Sequence, residues 1–388
     1  MSKTVGIICE YNPFHKGHKY QIDKIKELIP ECKIVAIMSG NSTQRGELSI
    51  IDKYKRAEIA LEMGVDLVTE IPFPYSSSTA EIFACAGVEI AMQLNCDTLA
   101  FGTENCDLEY LKGLADAIDS VKLEYAIKKE LQDKSVSYIV AKERALSKLG
   151  FNSVLFANDM LAIEYLRAIR KKGANITPIA VKRTGAGYND NSECEIMSAG
   201  AIREKFIKTG NLIGVPEDAQ SHYDKSIEEK SLLDFEKSKD FIYRTALIIP
   251  KESIEGAFDS SKEIASIIKS VANDSKNGSE FYENLSTKNY TRARLSRVIL
   301  YAIYSIKSID KSPKFTILLG ANEKGREIIS KSKKSEIKII TKHSDSATLD
   351  KESTVLLEKG YELDKMHASL LLNPMDLSMV YKRKPIIK

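Results

Sequence analysis

Short apolar runs alternate with amphipathic stretches through the first 190 residues. Val5–Cys9, Lys33–Met38, Val65–Ile71 and Asp97–Phe101 are almost continuously aliphatic, and each is closed within a few residues by Gly, Pro or Ser. That pattern predicts strands buried on both faces. Between them, apolar positions recur at helical spacing across Gly17–Leu28, Lys53–Met63 and Ser78–Leu94. Residues 107–150 are charged with helical spacing, as in an inserted cap. A helix over Asn158–Lys172 and a strand over Ile176–Lys182 follow. The alternation predicts an α/β fold, a doubly wound parallel sheet with helices on both faces. The texture changes after Asn211. Pro216–Lys239 is polar, and the later helices mix with a βα-like piece at Lys314–Leu319 followed by Gly320–Arg326. A boundary near 205–225 is expected, dividing residues 1–210 from a mostly helical α/β domain at 211–388.

In such a sheet, ligands bind beyond the carboxyl ends of the strands, where the strand order reverses. Glu10–His18, Met38–Asn41, Gly102–Glu104 and Arg183–Gly185 all fall at such ends. The first contains His15-Lys16-Gly17-His18. Imidazoles three apart share one face of a helix's first turn. Free backbone N–H groups and the helix dipole there favour phosphate, and Gly17 leaves the backbone open to a nucleotide. As phosphate binders, His15 and His18 would donate hydrogen bonds to a departing pyrophosphate. Two other readings stay open: a pair that caps the helix, and a metal site, for which no third ligand is evident nearby. Ser198 suits the N-cap of a helix running to Lys208, and Arg203 lies one turn inside it. Both can face the same phosphates, although an ordinary capped helix presents the same residues.

Composition narrows the class. A hydrophobic share of 43% with 29% charged residues is that of a globular, water-soluble chain, and 388 residues suffice for two domains. No apolar run reaches the ~18–20 residues of a membrane span, and no signal-peptide pattern opens the chain. A cytoplasmic protein with no membrane partner is expected. Cys9, Cys32, Cys85, Cys96, Cys106 and Cys194 contain no C-x-x-C pair and read as reduced thiols.

The net charge of +3 does not announce a nucleic-acid binder. Local clusters do more. A helix from Tyr290 through Ile306 would carry Tyr290, Arg294, Arg297 and Tyr301 on one face, beside Arg292. Its opposite stripe would be Leu295, Val298, Ile299, Ala302 and Ile306. Lys382-Arg383-Lys384 is a second basic cluster. Arginines among aromatics can pair phosphates and stack on unpaired bases; a solvated basic surface is the commoner use of the pattern. Lys53, Arg56 and Glu70 read as helix-surface or strand-end salt-bridge residues. Arg45, in the polar loop Gln44–Glu47, is a candidate substrate contact. His222, His343 and His367 read as surface or satisfied histidines, and Asp66, Glu104 and Asp159 as pocket-edge polar residues without an assigned role.

His15-Lys16-Gly17-His18 after the first strand, with Ser198 and Ile202-Arg203 far along the chain, resembles the nucleotidyltransferase superfamily related to class I aminoacyl-tRNA synthetases. That superfamily has a Rossmann-like fold of the HUP type. More narrowly, the run Gly6–His18 is similar to the tRNA(Met) cytidine acetate ligase family. So are Met38–Asn41, Gln44–Glu47, Glu70–Pro74, Phe101–Glu104, Lys182–Tyr188 and Asn322–Arg326, so the likeness spans nearly the whole chain. The resemblance implies ATP-dependent activation of acetate to acetyl-adenylate, with Mg²⁺ shielding the phosphates. The acetyl group would then pass to the wobble cytidine of elongator methionine tRNA, giving N4-acetylcytidine; DNA is not an implied partner. The ATP site implied by the family's motifs comprises Ile8, Cys9, Glu10, Tyr11, Asn12, Pro13, Phe14, His15, Lys16, Gly17, His18, Lys19, Tyr20, Gln21, Gly102, Asn158, Arg183 and Thr184. His15, His18, Ser198 and Arg203 would be catalytic, and Arg292, Arg294, Arg297, Lys382 and Arg383 would contact RNA. Ser42-Thr43, Asp159 and Gly200 depart from the family pattern, and the first and last bear on the acetate pocket or the phosphate helix. A small-molecule adenylyltransferase acting on a phosphorylated metabolite is the alternative, and the long C-terminal extension argues against it. A nucleotide-sensing RNA-binding protein without chemistry is a third class, disfavoured by the two histidines beside Ser198 and Arg203.

Overall fold

The computed structural model describes residues 2–104, 107–133, 135–136, 138–151, 156–183, 196–310, 312–332 and 335–388. Strand β1 (Thr4–Cys9) leads through helix α1 (Lys16–Leu28) to β2 (Lys33–Ser39), and α2 (Lys53–Glu62) leads to β3 (Leu67–Ile71). These three strands pair in parallel in that order. Helix α3 (Ala80–Gln93) then carries the chain back, and β4 (Thr98–Thr103) pairs on the other side of β1. Strand order therefore reverses between β1 and β4. All residues of β2 and β3 are buried, which is why the sequence shows continuous apolar runs there rather than alternation.

The charged stretch after β4 forms three helices, α4 (Leu108–Ile118), α5 (Val121–Glu130) and α6 (Tyr138–Lys148). Helix α7 (Ala157–Lys171) packs on both α3 and α4, and it delivers β5 (Thr177–Lys182) to the edge beside β4. Helix α8 (Ala199–Thr209) is capped by Ser198 and ends at Gly210, whose φ of 74° is the left-handed conformation glycine adopts freely. Pro216–Lys239, polar in sequence, holds α9 (Glu217–Glu228) and the start of α10 (Phe235–Ile248). Four more helices follow: α11 (Lys251–Glu255), α12 (Lys262–Asp274), α13 (Gly278–Asn284) and α14 (Arg292–Ile303).

The sheet does not stop at residue 210. Strand β6 (Phe315–Ala321) runs antiparallel along β3, with Leu67 opposite Ala321 and Glu70 opposite Ile317. After α15 (Glu323–Lys331) comes β7 (Lys338–Ile340); α16 (Lys351–Ser369) precedes β8 (Ile386–Ile387), and both strands lie parallel to β6. The physical reason is the edge of β3, buried on both faces, whose backbone groups need partners. The doubly wound parallel sheet is thus extended by the C-terminal half into one eight-stranded mixed sheet. One apolar cluster fills each face, and residues of α10–α14 with α16 form a third. No helix among the described residues is long and apolar enough to cross a membrane. Cys9, Cys32, Cys85 and Cys96 are unpaired thiols, while Cys106 and Cys194 lie outside the described residues.

Candidate active site

The β1–α1 turn stands at the strand-order reversal. His15 is the N-cap of α1, and its Nδ1 accepts a hydrogen bond from Gly17 N at 3.0 Å. His18 Nδ1 accepts one from His15 N at 3.2 Å, closing a reciprocal capping box. The rings stack, with centroids 3.7 Å apart and planes inclined by 26°. Capping and phosphate binding are therefore compatible readings of the pair. Each Nδ1 is occupied as an acceptor, so each neutral ring carries its proton on Nε2, leaving two Nε2–H donors. Burial pushes the His15 imidazole down to about 3, helped by the Arg183 charge. Burial also holds His18 well below its ordinary range, with His15 and Arg183 contributing. Gly17 has a second reason to be glycine: a Cβ there would lie 2.9 Å from His15 Cε1 and 3.2 Å from Ile196 Cγ2.

The loop before the turn is held from several sides. Tyr11 (φ 48°) and Phe14 are buried, and their rings lie 4.8 and 5.4 Å from that of His18. Asn12 Oδ1 accepts from Ile50 N at 2.8 Å, and Tyr223 OH donates to Phe14 O at 3.1 Å. Arg203 Nη1 donates to Asn12 O at 2.7 Å while Nη2 stands 3.7 Å from Glu47, so this arginine braces the turn. Ser198 Oγ accepts from Ala201 N at 3.2 Å, as an N-cap does. Upstream, the Ile8 side chain packs against Gly87 of α3, and Cys9 ends β1. Downstream, Lys16 N donates to Gly214 O and Lys19 pairs with Asp23.

Across the strand-order reversal, Gly17, His18, Tyr20 and Gln21 face Gly102, Val181, Lys182, Arg183 and Ile196 over a narrow cleft of about 30 Å³. Larger by volume is a hollow of about 630 Å³ lined by Lys16, by residues 211–215 and by Glu217, Gln220, Asp224 and Ile227 of α9, a lining without imidazole or guanidinium. The smaller cleft is the one that brings an imidazole and a guanidinium together. At its rim, Gly102 lies against the Arg183 side chain: a Cβ there would stand 3.3 Å from Cγ. Glu104 Oε1 accepts from Asn158 Nδ2 at 2.5 Å, Oε2 accepts from Asp159 N at 3.2 Å, and Asp159 Oδ1 accepts from Glu104 N at 2.9 Å. Phe156 supplies no side-chain cap to α7, so Glu104 does it from just beyond the end of β4. Thr184 and Gly185–Tyr188 lie outside the described residues.

A family model described as HIGH Nucleotidyl Transferase matches residues 2–378. Two proteins named tRNA(Met) cytidine acetate ligase are similar over most of their length. That of Thermoanaerobacter sp. (strain X514) is 36% identical over 362 residues, covering 88% of each chain. That of Listeria monocytogenes is 35% identical over 372 residues, covering 92% of each. The chain belongs to the tRNA(Met) cytidine acetate ligase family of HIGH nucleotidyl transferases. A crystal structure of Thermotoga maritima TmcAL bound with alpha-thio ATP superposes with a TM-score of 0.90 at 27% identity, covering 99% of both chains.

Within this family member, the supports beneath the turn were not legible from sequence. Gln44 N donates to Glu10 Oε1 at 2.8 Å and Gln44 Nε2 to Ser78 O at 2.8 Å, while Ser42 and Thr43 are buried. Lys53 Nζ stands 2.6 Å from both Glu70 Oε2 and Asp364 Oδ2, all three buried, so this is an interior ion triad and not a surface pair. Burial raises the Glu70 carboxyl to about 7 against the downward pull of Lys53. His367 is buried and satisfied, its Nε2 donating to Ser49 O at 2.8 Å. His222 pairs with Glu62 and His343 with Glu358, both near the surface.

The basic face expected on α14 is divided. Arg297 is only 7% exposed and its Nη1 donates to Gln44 O at 3.3 Å. Tyr301 is buried, with its hydroxyl on Ser77 O and Ser78 Oγ. Arg294 is tied to Asp259 at 2.7 Å. Arg292 remains exposed. The loop containing Gly46 packs onto this side of α14, where a Cβ on Gly46 would stand 2.7 Å from Arg297 N. Arg45, on that loop, is exposed. Near the C-terminus, Lys382 is exposed, whereas Arg383 stands 3.8 Å from Asp52 and over the Tyr54 ring.

Proposed function

We propose that the chain is a cytoplasmic, ATP-dependent ligase that makes acetyl-adenylate and acetylates the wobble cytidine of elongator methionine tRNA. The observation that carries this reading is the pair of stacked, neutral imidazoles at the strand-order reversal of the sheet, both Nε2–H groups uncommitted among the described residues. An acetate oxygen attacks the α-phosphorus of ATP, and the bond to the pyrophosphate oxygen breaks. Charge grows on the departing group, where His15 and His18 donate hydrogen bonds without first losing a proton. Arg183, at the rim of the same cleft, adds positive charge. In the second step the cytidine N4 attacks the acetyl carbon, AMP leaves with the bonding electrons, and the proton of the amine passes to the departing phosphate or to solvent water.

Among the described residues, no group of three His, Cys, Asp or Glu could hold a metal. Mg²⁺ would accompany the substrate's phosphates and shield their charge. In the proposed division of labour the N-terminal half activates acetate, and the C-terminal half receives RNA through exposed Arg292 and Lys382. Adenylyl transfer to a phosphorylated metabolite is not favoured, because the acetate-ligase relatives match across nearly the whole chain. The test is incubation with labelled acetate, ATP, Mg²⁺ and total tRNA, followed by digestion to nucleosides. Label in acetylcytidine is expected; AMP transferred to a metabolite with no label in RNA would overturn the reading.

A further inference from the structure

Arg56, on the inner face of α2, has no exposed surface and is the largest such side chain among the described residues. None of its hydrogen-bond partners is a carboxylate. Its Nε donates to Ile51 O at 3.1 Å, and Nη1 to Glu10 O at 2.6 Å and Ser39 O at 3.1 Å. Its Nη2 donates to Gly40 O and to Ser49 Oγ. A buried guanidinium carries a large desolvation penalty, and an apolar side chain of similar volume would fill the space at less cost. The five contacts have a common geometry. Glu10 follows the last residue of β1, Ser39 and Gly40 close β2, and Ser49 and Ile51 end the loop that carries Gln44. Glu10 in turn receives the Gln44 N–H and opens the run leading to His15.

We propose that Arg56 is a positioning residue for adenylate formation, its forked donors fixing the carboxyl ends of β1 and β2 relative to each other and so the place of the histidine turn against the Gln44 loop. The inference rests on the adenylation reading. A lysine in its place brings one nitrogen on a flexible stem, which cannot reach Glu10 O and Gly40 O in a fixed plane. Small misplacements in such sites are expensive, on the order of a hundredfold per ångström.

The experiment is acetate-dependent exchange of pyrophosphate into ATP, using the full chain, Arg56→Lys and Arg56→Ala, with melting temperature measured for each. Arg56→Lys is expected to lose about tenfold or more in kcat with KM for ATP changed by about twofold or less. Arg56→Ala should regain part of its rate when guanidinium or methylguanidine is added at millimolar concentration. Arg56→Lys with wild-type kcat, or an Arg56→Ala loss that follows only the folded fraction and ignores guanidinium, would overturn the proposal. Absence of exchange in the wild-type chain would instead overturn the adenylation reading, which keeps the two failures distinct.

Discussion

In the proposed reaction His15 and His18 act as donors, because their other nitrogens are already used by the backbone. Two consequences follow from burial. In histidine-labelled NMR spectra of the free protein at neutral pH, both rings should show the Nε2–H tautomer, with no titration between about pH 5 and 8; a midpoint near 6.5 for either ring would contradict this. Stability should change with a definite sign. The folded pKa of His15, about 3, lies below the ordinary 6.5, so the unfolded chain takes up the proton first. Stability is full above 6.5 and is lost as pH falls toward 3, and His15→Gln should flatten that slope. The motif itself was legible because its two histidines are neighbours in sequence and share a helical turn. Lys53, Arg56 and Glu70 were not legible as interior groups, because burial depends on partners such as Asp364 that arrive from α16.

At the scale of elements, periodicity located nearly every strand and helix of the first half, and the helical insertion after β4 came out as α4–α6. Helix α14 shows where periodicity runs out. Leu295, Val298, Ile299 and Ala302 are buried as the stripe predicts, but so are Arg297 and Tyr301 on the other side. A helix pattern identifies faces without saying how many neighbours it has; here the Gln44–Glu47 loop covers Arg297, and Ser77 and Ser78 cover Tyr301. The RNA contacts are accordingly assigned to the cations left outside. Arg292→Ala with Lys382→Ala should weaken tRNA binding and reduce the slope of log affinity against log salt by about 1.4–1.8. Arg297→Ala should lower the melting temperature and leave that slope unchanged. Fluorescence anisotropy with labelled tRNA over a salt series checks both; a slope altered only by Arg297→Ala would contradict the assignment.

For the whole molecule, the sheet joins what the sequence texture divides. Composition shifts near residue 210, yet β6 pairs with β3, and Thr316 Oγ1 donates to Glu70 O at 2.7 Å. Asp364 and His367 of α16 also grip the loop that reaches the active site, through Asn41 and Ser49. An antiparallel pairing between residues so distant in the chain leaves no local signal, which is why the shared sheet could not be read beforehand. The C-terminal half is therefore structural support for activation as well as the proposed seat of RNA. The central claim is that the paired imidazoles drive pyrophosphate departure, and acetate-dependent pyrophosphate exchange by His18→Ala, with tRNA affinity measured in parallel, tests it most directly. Exchange should fall by about 10²–10³-fold while tRNA affinity stays at the wild-type value. Exchange close to wild type, or equal loss of both properties, would contradict the account.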